Sequence, residues 1–238
     1  MSPRLSARHA RARLRALANP TDAAFLLRFF KTGPGEYGEG DRFLGIRVPD
    51  MRRVAREFRD LPLAQVKALL ASPWHEERLM ALVILGDQHA RGDAATRERI
   101  YRLYLTSTRH INNWDLVDAS APGIVGAHLF GRNSRPLEAL ARSKDLWERR
   151  IAIVATHWFI RNGDIRPTLR VATILLKDPH DLIHKATGWM LREAAKRDRA
   201  ATERFLRRHQ QRMPRTMLRY AIERFPPEAR KQYLQGTA

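Results

Sequence analysis

Residues 110–120 read HINNWDLVDAS, a mixture of apolar, amide and acidic side chains that suits neither a core helix nor a surface loop. On a helix, the four-residue spacing of Trp114 and Asp118 stacks a large flat ring and a carboxylate on one face, one turn apart. A carboxylate beside an aromatic face can stabilise developing positive charge or take a proton from water. If the helix starts after Asn113 as its N-cap, Asp115 is a first-turn charge facing the dipole, whereas Asp118 lies too deep for that role. Asp118 is then either a working carboxylate or a buried one bonded to the backbone or to an arginine.

Other chemistries are harder to assemble. The chain has no cysteine, which excludes disulfides, thiolate-bound zinc and thiol nucleophiles, and makes an intracellular, cytoplasmic setting the easier reading. His180 and His184 have the i, i+4 spacing of a metal pair but lack an HExxH frame and a third ligand, so a surface pair is favoured and neither metal nor cofactor is expected. No GxSxG elbow occurs. The glycine-rich stretch TGPGEYGEGDRFLG at 32–45 lacks the GK[ST] of a phosphate-binding loop and precedes no strand, so it reads as a connection between helices. Beyond it, Arg47, Arg52 and Arg53 surround a helix start opened by Pro49 and Asp50, a place suited to phosphate contact.

The elements that must position these groups are helical. Periodicity with turn punctuation predicts helices at 22–31, 50–59, 63–71, 75–91, 94–108, 114–121, 134–143, 146–162, 166–176, 181–197, 200–212 and 215–224. Short loops between them suit antiparallel helix pairs. Internal comparison aligns HEERLMALVIL around Arg78, ERRIAIVATHWFI around Arg150, LIHKATGWMLR around Lys185 and PRTMLRYAIERF around Arg219. From Arg78 to Arg150 is two steps of 36 residues, with Trp114 at the midpoint, and steps of 35 and 34 lead on to Lys185 and Arg219. A two-helix period of this length indicates an α-solenoid of the HEAT or tetratricopeptide kind, forming one domain over 1–238. Equivalent positions of stacked repeats share a surface, which would gather Arg78, Trp114, Arg150, Lys185 and Arg219, with Leu82, Asp118, Val154 and Trp189 one turn further on. Trp189 and Val154 are equally readable as inner-face packing.

The 44 Lys and Arg against 25 Asp and Glu give a net charge of +19, and only seven of the basic residues are lysine. Arginine binds phosphate bidentately, and so strong a field implies a polyanion, with nucleic acid favoured over a membrane or an acidic protein. No apolar run is long enough to span a bilayer. The acid-free, arginine-rich first 21 residues are open to two readings, a mitochondrial presequence or a basic amphipathic first helix whose apolar side is Leu5, Leu14 and Leu17.

HINNWDLVD, a following Arg-Arg pair in a helix, and then KATGWMLRE closely resemble the AlkD family of alkylpurine DNA glycosylases, and the resemblance runs from FFKTGPGEYGEGDRFLGIRVP at 29–49 to the last helix. It implies an all-α, right-handed solenoid of HEAT-like repeats with a concave basic DNA-binding face. It further implies that Asp118 is the catalytic carboxylate, that Trp114 and Trp189 contact the deoxyribose of the lesion, and that Arg150 contacts DNA beside it. Arg52 and Arg192 resemble backbone-binding arginines, and Arg47, Arg78, Lys185, Arg215 and Arg219 join them as expected DNA contacts. The 39-residue spacing from Arg150 to Trp189 is as expected for the family. Phe29 stands where some members have tyrosine, so any hydroxyl from that position is absent here.

The implied reaction is excision of N3- and N7-alkylated purines, such as 3-methyladenine and 7-methylguanine, from double-stranded DNA in base excision repair. It proceeds without base flipping, so bulky N7 adducts would be tolerated. Such a base is already cationic and leaves neutral, so one carboxylate can suffice where ordinary glycosidases need two. The implied enzyme is a monofunctional glycosylase acting as a monomer. The alternatives are a related solenoid that binds DNA structures without cutting, and a peptide-binding repeat scaffold, which would leave the charge of +19 unexplained.

Overall fold

The computed structural model describes residues 5–237, and helices are the regular elements of the described residues, apart from one isolated bridge between Arg42 and Trp74. The all-α expectation holds. The chain divides into two compact units, Met1–Ser120 and Ala121–Ala238.

The first unit contains α1 (Ala7–Arg15), α2 (Pro20–Phe29), α3 (Val48–Glu57), α4 (Leu63–Leu70), α5 (His75–Arg91), α6 (Ala94–Leu105) and nearly all of α7 (Trp114–Ala121). Its axis is α5, against which α3, α4 and α6 pack, while α1 packs on α3 and α4. Every residue from His75 to Leu82 is buried, as expected for a helix surrounded on all sides. Unusually, four of these are charged or ionisable: His75, Glu76, Glu77 and Arg78. Burying them requires partners. Glu77 receives Arg11 and Arg15 of α1 at 3.0 and 2.7 Å and the Ser72 hydroxyl at 2.6 Å. The arginines of the N-terminal stretch therefore help dock a helix onto the core. The buried side of α1 is Ala7, Ala10 and Leu14, and Leu5, expected there, is 39 % exposed; Met1–Arg4 lie outside the described residues.

Between α2 and α3, the glycine-rich stretch is a connection, as its sequence indicated. It is held by Glu76, whose carboxylate accepts the backbone N–H groups of Leu44, Gly45 and Ile46 at 2.8–3.2 Å. Gly45 has φ of 76°, and a Cβ there would lie 2.0 Å from the Asn19 carbonyl oxygen, so only glycine fits. α2 starts at Pro20, two residues before the predicted start, because Asn19 caps it and Pro20 occupies its first turn.

The second unit follows from Ala121 with a π turn (Pro122–Gly126), α8 (Ala127–Leu129), α9 (Arg135–Ala141), α10 (Leu146–Arg161), α11 (Arg166–Leu175), α12 (Asp181–Ala195), α13 (Arg199–His209), α14 (Arg215–Ala221) and α15 (Pro227–Gln235). α10 packs on α12 and α12 on α14; α9 and α11 pack against α10, and α11 and α13 against α12. The pairs α9–α10, α11–α12 and α13–α14 are the two-helix repeats that the internal spacing implied. In GWMLRE, Gly188 faces α14, where a Cβ would lie 2.5 Å from both the Met217 carbonyl oxygen and the Tyr220 Cβ. Close approach of α12 and α14 therefore depends on that glycine. The π turn, α8 and α15 have no counterpart in the sequence expectation. Pro122 disrupts the periodic pattern at the π turn, and sparse apolar residues weaken it at α15.

Candidate functional site

α7 begins at Trp114, as predicted from the capping role of Asn113, whose carbonyl accepts the Val117 N–H at 3.2 Å. The buried Asn113 side chain accepts the Trp114 N–H at 2.8 Å and donates to Asp41 at 3.3 Å. Trp114 and Asp118 are both half-buried and stand one turn apart on this helix. The Trp114 ring rests on Phe30 with centroids 5.3 Å apart, meets Phe29 edge-on at 6.1 Å, and donates its indole N–H to the Tyr37 hydroxyl at 3.3 Å. α2 and the glycine-rich connection thus fix the ring from behind. Phe29 is itself exposed and stacks on exposed Phe25, extending an aromatic surface along α2. Asp118 contributes its negative charge to the surroundings of Tyr104, whose phenol is pushed up chiefly by burial and then by that charge, against the hydrogen bond to Ser120.

Beneath this face lies a buried ionic network that sequence reasoning missed. His75, 2 % exposed, meets Asp41 through Nδ1 at 2.8 Å and Asp115 through Nε2 at 2.7 Å. Asp41 also receives Arg78 at 2.7 Å. With a carboxylate at each ring nitrogen, only the imidazolium can donate to both. Burial alone would lower the His75 pKa, but the hydrogen bonds and charges of Asp115 and Asp41 raise it to about 9. For Asp41, burial pulls upward and is outweighed by the hydrogen bond and charge of His75, followed by those of Arg78, so its carboxyl lies below the usual range. Asp115 is a first-turn acid, as expected; its Oδ1 accepts the Leu116 N–H, and its Oδ2 serves His75.

The cationic residues separate by burial. Arg78, expected on the DNA-facing surface, is instead 4 % exposed and committed to Asp41 and the Ser72 carbonyl. That expectation is corrected: a guanidinium neutralising a buried carboxylate is not presented to phosphate. Arg47 and Arg52 are exposed, with Arg47 pairing to Asp22 at 3.3 Å. In the second unit, Arg150 on α10 is 5 % exposed and donates to the Leu182 carbonyl at 2.7 Å. Trp189 on α12 is half-buried, 5.7 Å from the His157 ring. Lys185 pairs with Asp181 at 2.7 Å, and Arg192 with Glu193 and Glu223. Arg215 and Arg219 are exposed on α14. Val154 and Leu82 are core residues.

Helix starts also revise the repeat register. Asp118, Arg150, Lys185 and Arg219 each stand five residues after the residue at the capping position, respectively Asn113, Asp145, His180 and Pro214, while Arg78 stands four after Trp74. Asp118, not Trp114, is therefore the helical counterpart of Arg150. Counting along the sequence mixed helix and loop lengths, which differ among repeats. His180 is itself a cap, its Nδ1 accepting the Leu182 N–H at 3.1 Å, and His184 bonds the Asp178 carbonyl, so both imidazoles have local partners. Among the described residues, no group of His, Asp and Glu is arranged to hold a metal ion, and no helix is long and apolar enough to cross a membrane.

Comparison with known proteins gives two findings. A solved structure described as a predicted DNA alkylation repair enzyme from Enterococcus faecalis is similar to this chain, with a TM-score of 0.69 and 17 % identity, over 88 % of this chain and 97 % of that one. At that identity, the likeness establishes the shared fold. No curated protein matches the sequence. Residues 10–225 match the family described as DNA alkylation repair enzyme, nearly the full length of the described chain, and the protein belongs to that family.

Proposed function

We propose that this member of the family is a monofunctional DNA glycosylase that releases N3- and N7-alkylated purines from duplex DNA in base excision repair, acting as a cytoplasmic monomer without flipping the base. The observation that carries this reading is the pairing of Trp114 and Asp118 on one face of α7, with the indole ring backed by Phe30. Alkylation makes the purine cationic, so when the C1′–N9 bond breaks, the base keeps the bonding electrons and departs neutral. The sugar becomes oxocarbenium-like. Asp118 stabilises that charge and accepts a proton from the water that attacks C1′. The Trp114 ring offers its π face to the same charge, a contribution of about 0.5–2 kcal/mol on the cation–π scale.

In the second unit, the reading assigns sugar contact to Trp189 and DNA contact to Arg150. Exposed Arg47, Arg52, Arg215 and Arg219, with Lys185 and Arg192, supply phosphate contacts and salt-dependent affinity. The test incubates methylated duplex DNA with wild type and Asp118→Asn and measures released 7-methylguanine and 3-methyladenine. The variant should lose on the order of 10²- to 10⁴-fold in rate, the range for a positioned acid or base. A wild type that binds the duplex but releases neither base would replace this reading with a non-catalytic binder. An unchanged Asp118→Asn would remove Asp118 as the catalyst.

A further inference from the structure

The NNWD motif contains more than the two residues assigned to chemistry, and the surplus leads inward. Asn113 and Asp115 flank Trp114, and both reach the same buried cluster, Asn113 through Asp41 and Asp115 through His75. His75 touches the Trp114 neighbourhood by a second route. Its ring lies 4.5 Å from Phe43 and 5.0 Å from Phe30, and Phe30 is the ring on which Trp114 rests. The first turn of α7 is thus tied to α5 by an ion pair on one side and an aromatic stack on the other. The same imidazole ties α5 to Asp41 of the glycine-rich connection, whose Tyr37 receives the Trp114 indole N–H.

We propose that His75, clamped between Asp41 and Asp115, is a positioning residue for excision. It holds the first turn of α7 so that the Trp114 ring and the Asp118 carboxylate keep a productive geometry when DNA binds. The inference rests on the glycosylase reading above. The charged groups facing the imidazole are Asp41 from the connection and Asp115 from α7, with Arg78 of its own helix acting through Asp41; Phe30 and Phe43 supply its neutral surroundings. The ring holds both carboxylates only while both nitrogens carry protons. As it deprotonates, one carboxylate loses its donor and the clamp opens on that side. The shift of its pKa to about 9 places that event above neutral pH.

Single-turnover excision of 7-methylguanine should therefore fall as pH rises through about 9 in the wild type. In His75→Gln, the rate at pH 7 should drop on the order of 10- to 100-fold, the scale of a misplaced reacting group, and should stay flat over the same alkaline range. Affinity for the duplex should remain within about 3-fold, because phosphate contacts lie elsewhere. A purely structural role would lower the melting temperature without changing the pH profile. Asp115→Asn serves as the second variant if His75→Gln fails to fold, with the same loss expected. Full activity in a folded variant, or a neutral His75 imidazole at pH 7.5 by ¹⁵N NMR, overturns the proposal. Should the wild type release no base, the glycosylase reading fails by itself. The clamp is then judged by whether the Trp114 indole resonance moves with the His75 titration in wild type and not in His75→Gln.

Discussion

Glu76→Ala should unlock the glycine-rich connection without touching the surface that faces solvent. The Glu76 side chain is buried at 3 % exposure, and its Oε1 accepts N–H groups from Leu44 at 3.1 Å, Gly45 at 2.8 Å and Ile46 at 3.2 Å, while Oε2 accepts Leu44 at 2.9 Å. Leu44, Gly45 and Ile46 are buried as well, so truncation strands three N–H groups away from water. Each costs about 1–3 kcal/mol when left unmade, and partial relaxation brings the expected total to about 3–6 kcal/mol. Glu76→Gln is the informative companion. Its carbonyl oxygen has two lone pairs and can keep the Gly45 and Ile46 bonds, while its NH₂ group faces the Leu44 N–H donor to donor, so the loss should be about 1–3 kcal/mol. Urea unfolding of wild type and both variants measures the differences, and hydrogen exchange at 44–46 reports whether the connection opens locally. If Glu76→Ala falls within 1 kcal/mol of wild type, the carboxylate is not what organises this stretch, and the account of how Asp41 and Phe43 are placed fails with it.

Two further expectations concern charge. For His75 the folded pKa of about 9 exceeds the unfolded value of 6.5, so its contribution to stability is complete below pH 6.5 and is lost as pH rises through 9. Urea unfolding should show a decline of about 3 kcal/mol across that window, and His75→Gln should remove this component of the slope. Arg219→Ala should weaken duplex binding equally across sequences and reduce the slope of log affinity against log salt by about 1. An unchanged slope would take Arg219 out of the phosphate-binding set.

What the sequence disclosed depended on how local each signal was. α7, its Asn113 cap and the first-turn role of Asp115 were legible because they reside within a few consecutive residues. The two-helix repeats were legible from spacing, yet the register slipped by one turn at Asp118 because residue counts run through loops as well as helices. The network of Asp41, His75, Arg78 and Asp115 was not legible. His75 and Arg78 sit at i, i+3 in HEER, which reads as an ordinary solvated helix start, and their partners lie 34, 37 and 40 residues away. Arg78 shows the cost of reading arginine by type alone. In a chain of net charge +19, the prior for every arginine is surface phosphate contact, and Arg78 leaves that set because its partner is the buried Asp41, 37 residues away in sequence.

Of the two aspartates of WDLVD, one is tied to the buried network of the first unit. Asp115 faces a buried imidazolium, and its Oδ2 is committed to His75 at 2.7 Å. Asp118, one turn further on, is half-buried on the helix face that carries the Trp114 ring. A glycosidase acting on an uncharged substrate would expel an anion and needs a second carboxyl to protonate that leaving group, and two carboxylates on adjacent turns would be natural candidates for such a pair. Here the imidazolium occupies one of them. On the proposed reading, that arrangement restricts the chemistry to bases that bring their own positive charge. Under that proposal, selectivity for alkylated purines would come from the commitment of Asp115 to His75, with no pocket required to recognise the base.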